Sequence, residues 1–392
     1  MLTKRLAKLA IPFAIGALAL TACSDDSNGG SGGGGGGGDG ATFKIAYQGP
    51  LSGPNVQLGV NMVNGVQLAI DEANESGEYD VKFELFEADD GGEPGKATAA
   101  AQSAIDAGVI AVVGPAFSGA AEVAAPNYGE AGIAALTPSA TRPDLTEKGF
   151  KTFLRAVPSD AEQGKAIADF FVSQDIAKAV LIDDTDDYAV GLADVAQQHL
   201  EEAGVEVVRE SVPADTVDHS GIARTVVESG AGAVAYTGYY SQAGPLAVKL
   251  NEAGYEGIGL GGDGVKDPQF VSLAGAAAEN WYLSCPCRDL TTDEAGQSFI
   301  DRYKAAFDAE PGTYSPEAYD ATKMIIEAVA ELGDGADAKS VYEALAAGTH
   351  EGVAKTLSFT ETGEYNGAGI YMYQVTGGAI TSLGDITEVT GG

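Results

Sequence analysis

Basic residues are scarce in this chain: 22 Lys and Arg stand against 57 Asp and Glu among 392 residues, a formal net charge of −35. A field of that sign repels phosphate backbones and anionic headgroups, which excludes a nucleic-acid partner. Histidine is scarcer still. His199, His219 and His350 are scattered without the spacing of metal ligands, so no metal centre is expected. His199 falls in an amphipathic stretch and His219 in a loop, both expected at the surface, and neither stands as a base beside a nucleophile. No Gly-x-Gly-x-x-Gly opens the first helix, which disfavours a nucleotide enzyme and leaves no cofactor to expect. After the N-terminal apolar run, no segment approaches the length of a membrane span. These absences argue against catalysis and leave binding.

What the chain does have begins at its N-terminus. Lys4, Arg5 and Lys8 precede an apolar run over residues 9–20, which ends in Leu20-Thr21-Ala22-Cys23. Charge, a short apolar core and small residues make a secretory signal, expected over residues 1–22. Cys23 after Leu-Thr-Ala resembles the bacterial lipobox, in which that cysteine is lipidated and becomes the first mature residue. Residues 24–40 are only Ser, Asp, Asn and Gly, with an unbroken glycine run over 32–38. Such a segment has nothing apolar to bury and serves as a tether with a root-mean-square reach of about 23 Å. The lipidated cysteine and tether are assigned to residues 23–41, and the body is expected outside the cytoplasm, held at a membrane by lipid.

The remainder, about 350 residues, is enough for two domains. Short apolar runs alternate with alanine-rich amphipathic stretches: strands over 43–47, 81–87, 109–113 and 132–137, helices over 60–75, 96–107 and 118–130. Continuous apolar runs joined by helices mean a parallel sheet covered on both faces. The pattern restarts near Pro158-Ser159-Asp160, with strands over 179–182, 205–212, 233–237 and 257–260, and helices over 161–173, 188–203, 220–229 and 242–253. Three further helices follow over 293–308, 315–332 and 340–347, then a final pair of strands over 357–360 and 369–375. This tail has too few strands for a third domain and is expected to pack back on both units. Cys285 and Cys287, in Cys-Pro-Cys, are open to a disulfide, to free thiols or to zinc, though zinc would need further ligands.

In an open parallel sheet, ligands bind beyond the carboxyl ends of the strands. There lie Gly114-Pro115-Ala116-Phe117-Ser118-Gly119-Ala120, where Ser118 is expected to cap a helix, and Thr137-Pro138-Ser139-Ala140-Thr141. In the second unit the corresponding turns are residues 183–188, Gly238-Tyr239-Tyr240 and Gly261-Gly262-Asp263-Gly264. Hydroxyls and helix N-termini on one side, with aromatics and a lone carboxylate on the other, suit a small zwitterion. The run Asp183-Asp184-Thr185-Asp186-Asp187 has calcium-type oxygens but lacks the glycine and distal glutamate of an EF-hand, and reads as a solvated turn.

Gly49-Pro50-Leu51-Ser52-Gly53-Pro54, Asp89-Asp90, Val113-Gly114, Leu136-Thr137-Pro138-Ser139-Ala140-Thr141 and Tyr319-Asp320-Ala321 resemble the type I periplasmic binding proteins, in the branch that binds leucine, isoleucine and valine for ABC importers. The resemblance runs from about Phe43 to Tyr373. It implies an α/β fold of two doubly wound parallel-sheet lobes joined by a three-crossover hinge. Residues 42–158 plus 288–355 would form lobe 1, and 159–287 plus 356–392 lobe 2. It also implies site residues. Ser118 and Thr141 match positions that hold a ligand's α-carboxylate, while the Ser139 carbonyl and Asp263 match the partners of its α-ammonium. Tyr188 and Tyr240 match aromatics of the second lobe, and Leu58, Ala116, Phe117, Ala140 and Tyr314 fall around the pocket. Asp263 replaces a glutamate of the branch, and Leu58 an aromatic residue. The implied partners are an amino acid and ABC permease subunits in the membrane. A ligand-sensing lipoprotein of the same fold, or a binder of short amides, urea or small aromatic acids, stands as the alternative.

Overall fold

The computed structural model describes residues 40–391. Cys23, the signal and nearly all of the tether lie outside these described residues. The chain opens with β1 (Thr42–Gly49), α1 (Val56–Ser76), β2 (Lys82–Asp89), α2 (Pro94–Asp106), β3 (Ala111–Val113), α3 (Ser118–Ala131), β4 (Ala134–Thr137) and β5 (Phe153–Arg155). These strands form one parallel sheet in the order β2-β1-β3-β4-β5. Every residue of β3 and β4 is buried, because helices cover both faces, and this is why those strands read as unbroken apolar runs.

The second lobe follows with α4 (Asp160–Ser173), β6 (Lys178–Asp183), α5 (Asp187–Glu202), β7 (Glu206–Ser211), α6 (Ser220–Ser229), β8 (Ala233–Tyr236), α7 (Tyr240–Glu252), β9 (Ile258–Gly261), α8 (Pro268–Ala274) and β10 (Tyr282–Cys285). Then come α9 (Glu294–Phe307), α10 (Ser315–Leu332), α11 (Ala338–Ala347), β11 (His350–Glu351), β12 (Thr356–Leu357), β13 (Tyr371–Thr376), β14 (Ala379–Asp385) and α12 (Ile386–Thr390). The second sheet runs β14-β13-β10-β9-β8-β6-β7. Helix α10 packs on α1 of the first lobe and α11 against β3 and β4, so the chain returns to the first lobe after β10 and leaves it again before β13. With the passage from β5 to α4, the described residues contain three crossings. At the second of them Cys285 and Cys287 are joined by a disulfide, their Cα atoms 5.0 Å apart.

Two expectations need correction. The second sheet is not wholly parallel: β13 runs antiparallel to β10 and to β14. The earlier of the two expected closing strands is also shorter than expected. Of residues 357–360 only Leu357 lies in a strand, Thr356–Leu357, which pairs with His350–Glu351. The buried side chains of Met372, Tyr373 and Val375 instead draw the later segment onto the second lobe's core, where β10 supplies its hydrogen bonds. Strands β5, β10 and β14 and helix α8 are too short or too polar for periodicity to reveal them.

Candidate functional site

A narrow cavity, with about 10 Å³ of open space, lies between the lobes, at the carboxyl ends of both sets of parallel strands. The first lobe contributes Leu58 and Met62, one turn apart on α1, with Ala116, Phe117 and Ser118 after β3 and Ser139 after β4. Tyr188 on α5, Tyr239 after β8 and Asp263 and Gly264 after β9 come from the second. Tyr314, the residue before α10, closes the wall.

The lobes touch around this cavity. The rings of Phe117 and Tyr239 stack with centroids 4.4 Å apart. The Gln57 backbone N–H donates to the Tyr240 hydroxyl at 3.2 Å, and Asn61 Nδ2 donates to Asp267 at 3.0 Å. Arg142 reaches Asp187 at 3.4 Å. Water is thereby kept from the interior groups, and their electrostatics are correspondingly strong.

Asp263 is the chemical centre. Its carboxylate is buried and accepts the Tyr188 hydroxyl at 2.7 Å and the Tyr314 hydroxyl at 2.6 Å. Among the described residues, no cation lies within ion-pairing distance of it. Burial pushes its pKa up, opposed by the hydrogen bonds it accepts from the two tyrosines. Asp160, at the first turn of α4, is a second buried carboxylate whose neighbours include Asp263 and the Thr141 hydroxyl; neither of its oxygens has a hydrogen-bond partner. Burial raises its pKa well above the usual carboxylate range, and the charge of Asp263 adds to the shift.

On the opposite side stands the N-terminus of α3, whose first N–H groups have no partner within the helix. Ser118 is the first helical residue here rather than the cap, which falls at Phe117; its hydroxyl accepts the Arg142 N–H at 3.2 Å. The Ser139 hydroxyl donates to the Ala116 carbonyl at 2.7 Å. The Thr141 hydroxyl is buried without a partner.

Of the residues named from sequence, Leu58, Ala116, Phe117, Ser118, Ser139, Tyr188, Asp263 and Tyr314 share the cavity wall. Ala140, Thr141 and Tyr240 do not. The Ala140 carbonyl accepts from Arg155, and Thr141 lies behind the wall beside Asp160. Tyr239 holds the place expected for Tyr240, because α7 starts at Tyr240 and its ring is turned toward Gln57 of the first lobe. Sequence reasoning missed Met62, which the one-turn spacing from Leu58 could have found. Tyr239 and Gly264 stand in turns picked out from the sequence but not named for the wall, and Asp160 was missed.

Two further expectations change. His219 is buried, not at the surface; its ring nitrogens have no partner and burial lowers its pKa. Residues 183–187 are the turn from β6 to α5, but Asp183 and Asp184 are buried in it rather than solvated. Asp183 accepts from Arg209 and Ser211, and Asp186 caps α5 by accepting the Tyr188 N–H.

Two parallel α/β lobes with a cavity at their strand ends define a class, the type I periplasmic binding fold. LivJ of Streptococcus pneumoniae, solved in complex with isoleucine, superposes with a TM-score of 0.81 at 28% identity, over 88% of this chain and 99% of that one. A model described as periplasmic binding protein matches residues 42–379, and the chain belongs to that family, one of binding proteins rather than enzymes. A leucine-, isoleucine-, valine-, threonine- and alanine-binding protein of Pseudomonas aeruginosa is 29% identical over 375 residues, covering 95% of this chain and 96% of that protein. A solute-binding protein of Rhodopseudomonas palustris, solved with 3,4-dihydroxy benzoic acid, has a TM-score of 0.77 over 88% of this chain and 97% of that one; at 22% identity it shares the fold alone.

Proposed function

We propose that this protein captures a branched-chain amino acid outside the cytoplasm and delivers it to an ABC permease, tethered to the membrane by lipid on Cys23. The observation that carries the ligand class is Asp263. A buried carboxylate with two hydroxyl donors and no cation leaves its charge uncompensated, and a ligand ammonium supplies what is missing. A benzoate-type acid would bring a second negative charge to the same place. The relatives' named ligands, which include leucine, isoleucine and valine, fit this reading.

In the proposed complex the α-ammonium meets Asp263 and the Ser139 carbonyl. The α-carboxylate meets the N-terminal N–H groups of α3 and the hydroxyl of Ser118, where the helix dipole favours negative charge, while Thr141 sits behind the wall. Leu58, Met62, Ala116 and Phe117 offer apolar surface to an aliphatic side chain, while the rings of Tyr188, Tyr239 and Tyr314 exclude water. Ala140 sits behind this wall, and Tyr240 acts at the rim by holding α7 against α1.

A thermal-shift screen of amino acids against small aromatic acids tests the ligand class. A branched-chain amino acid at 100 times its dissociation constant should stabilise the protein by about 2.7 kcal/mol. Asp263→Asn should weaken that binding by about 2–5 kcal/mol in calorimetry. Stabilisation by benzoates and not by amino acids would reverse the assignment. For the anchor, Cys23→Ser should release the protein from membranes.

A further inference from the structure

Behind Tyr314, on the hinge side, lies a second cavity of about 250 Å³, open to solvent on one side. Its walls come from both lobes: Lys266 follows β9 and Tyr373 belongs to β13, while Leu290, Ile300 and Glu317 belong to the returning segment and to α9 and α10. Most charged groups there are already engaged. Arg288 pairs with Asp293 at 2.7 Å, and Asp289 accepts from Thr291 at 2.9 Å.

Two are not fully so. Lys266 Nζ lies 4.3 Å from the centroid of the Tyr373 ring, and among the described residues no carboxylate reaches it within 4.0 Å. Glu317 is buried and ion-paired with Lys355, 3.3 Å from one of its oxygens, yet neither carboxylate oxygen has a hydrogen-bond partner. An unpaired ammonium from one lobe and a buried carboxylate with free hydrogen-bond acceptors from the other line the same space, with Leu290, Ile300 and the Tyr373 ring as apolar wall. Burying an ammonium without an opposite charge, or a carboxylate without hydrogen-bond donors, is costly.

We propose that this hinge cavity is a second binding site for a small zwitterion, an amino acid whose carboxylate meets Lys266 and whose ammonium meets Glu317. Because those groups lie on opposite lobes, the occupant bridges them and favours the closed arrangement. The closed arrangement is already held at this point by the Thr313 hydroxyl, which donates to the Lys266 carbonyl. Tyr314 forms a wall of both cavities and donates to Asp263 in the first, so the two sites are in physical contact. Its backbone is in the left-handed region, φ 66°, uncommon for a non-glycine residue. The site itself stands on the hinge geometry; its coupling to the first cavity rests on the function proposed above. By linkage, an occupant that raises the first site's affinity must have its own affinity raised by the same factor.

Glycine, the smallest zwitterionic amino acid, is the probe. Full-length protein saturated with L-leucine is titrated with glycine in a calorimeter, and crystals of the same complex are soaked in glycine. The expected result is one further equivalent bound, with density between Lys266 and Glu317. Lys266→Gln and Glu317→Gln should each lower glycine affinity by about tenfold or more while L-leucine still binds. No glycine uptake by the saturated protein, density elsewhere, or unchanged glycine affinity in both variants overturns the proposal. If L-leucine itself fails to bind, the function proposed above falls, and the glycine soak of ligand-free crystals still decides the hinge site. The soak uses the native chain, so a variant that does not fold leaves the decision intact.

Discussion

Asp186 shows how much a single carboxyl here depends on its surroundings. Burial, with the charge of Asp184 adding to it, pushes its pKa up to about 7, although it accepts the Tyr188 N–H at 3.0 Å. Burial takes Asp320 to about 7 as well, and raises Asp160 and Asp263. A carboxyl whose pKa is raised on folding holds its proton more tightly in the native than in the unfolded chain. Its contribution is therefore most favourable at or below the unfolded pKa, near 3.8, and is lost as pH rises through about 7. Urea unfolding should find the protein more stable at pH 5 than at pH 8. Asp186→Asn keeps an acceptor for the α5 cap but cannot ionise, so it should narrow that difference. A variant whose pH dependence matches the native protein's would mean that Asp186 ionises at its ordinary pKa.

Among the elements, the α1–α10 pair sets the site. Helix α1 carries Leu58 and Met62 to the cavity, and α10 begins immediately after Tyr314. The helices approach closely at Gly65, where an added Cβ would lie 2.2 Å from the Ser315 carbonyl oxygen. That oxygen is backbone and cannot rotate away, so Gly65→Ala must push the helices apart. Overpacking of this kind costs about 1–3 kcal/mol, and it should also weaken ligand binding by displacing Tyr314 from Asp263. Chemical denaturation and calorimetry on the same variant read both effects. Unchanged stability would show that the pair yields without strain.

For the whole molecule, the division of the wall between lobes decides the mechanism. Phe117, Ser118 and Ser139 belong to one lobe, and Tyr188, Tyr239 and Asp263 to the other. A ligand that touches both binds the closed form better than the open one, and only this difference in affinity can drive closure. Small-angle scattering should give a smaller radius of gyration with L-leucine than without. Identical profiles under saturating ligand would leave a rigid binder as the better account.

Much of the architecture was legible because each strand of the paired doubly wound sheets is a short apolar run between amphipathic helices, a local pattern. The turns after β3, β4 and β9 could be picked out for the same reason: a strand's end is visible where its apolar run stops, and Ser118, Ser139 and Asp263 stand there. Local sequence alone determined the sign of the charge, the α/β class and the candidate turns. Tertiary structure decided which neighbour faces inward. Tyr239 and Tyr240 are equivalent in composition, and only the start of α7 turns one to the cavity and the other to Gln57. It also decided that β13 joins β10, and that Lys266 and Glu317, 51 positions apart in the numbering, face one cavity. Such pairings depend on how the chain crosses between lobes, and no periodicity within a segment records a contact made with a distant one.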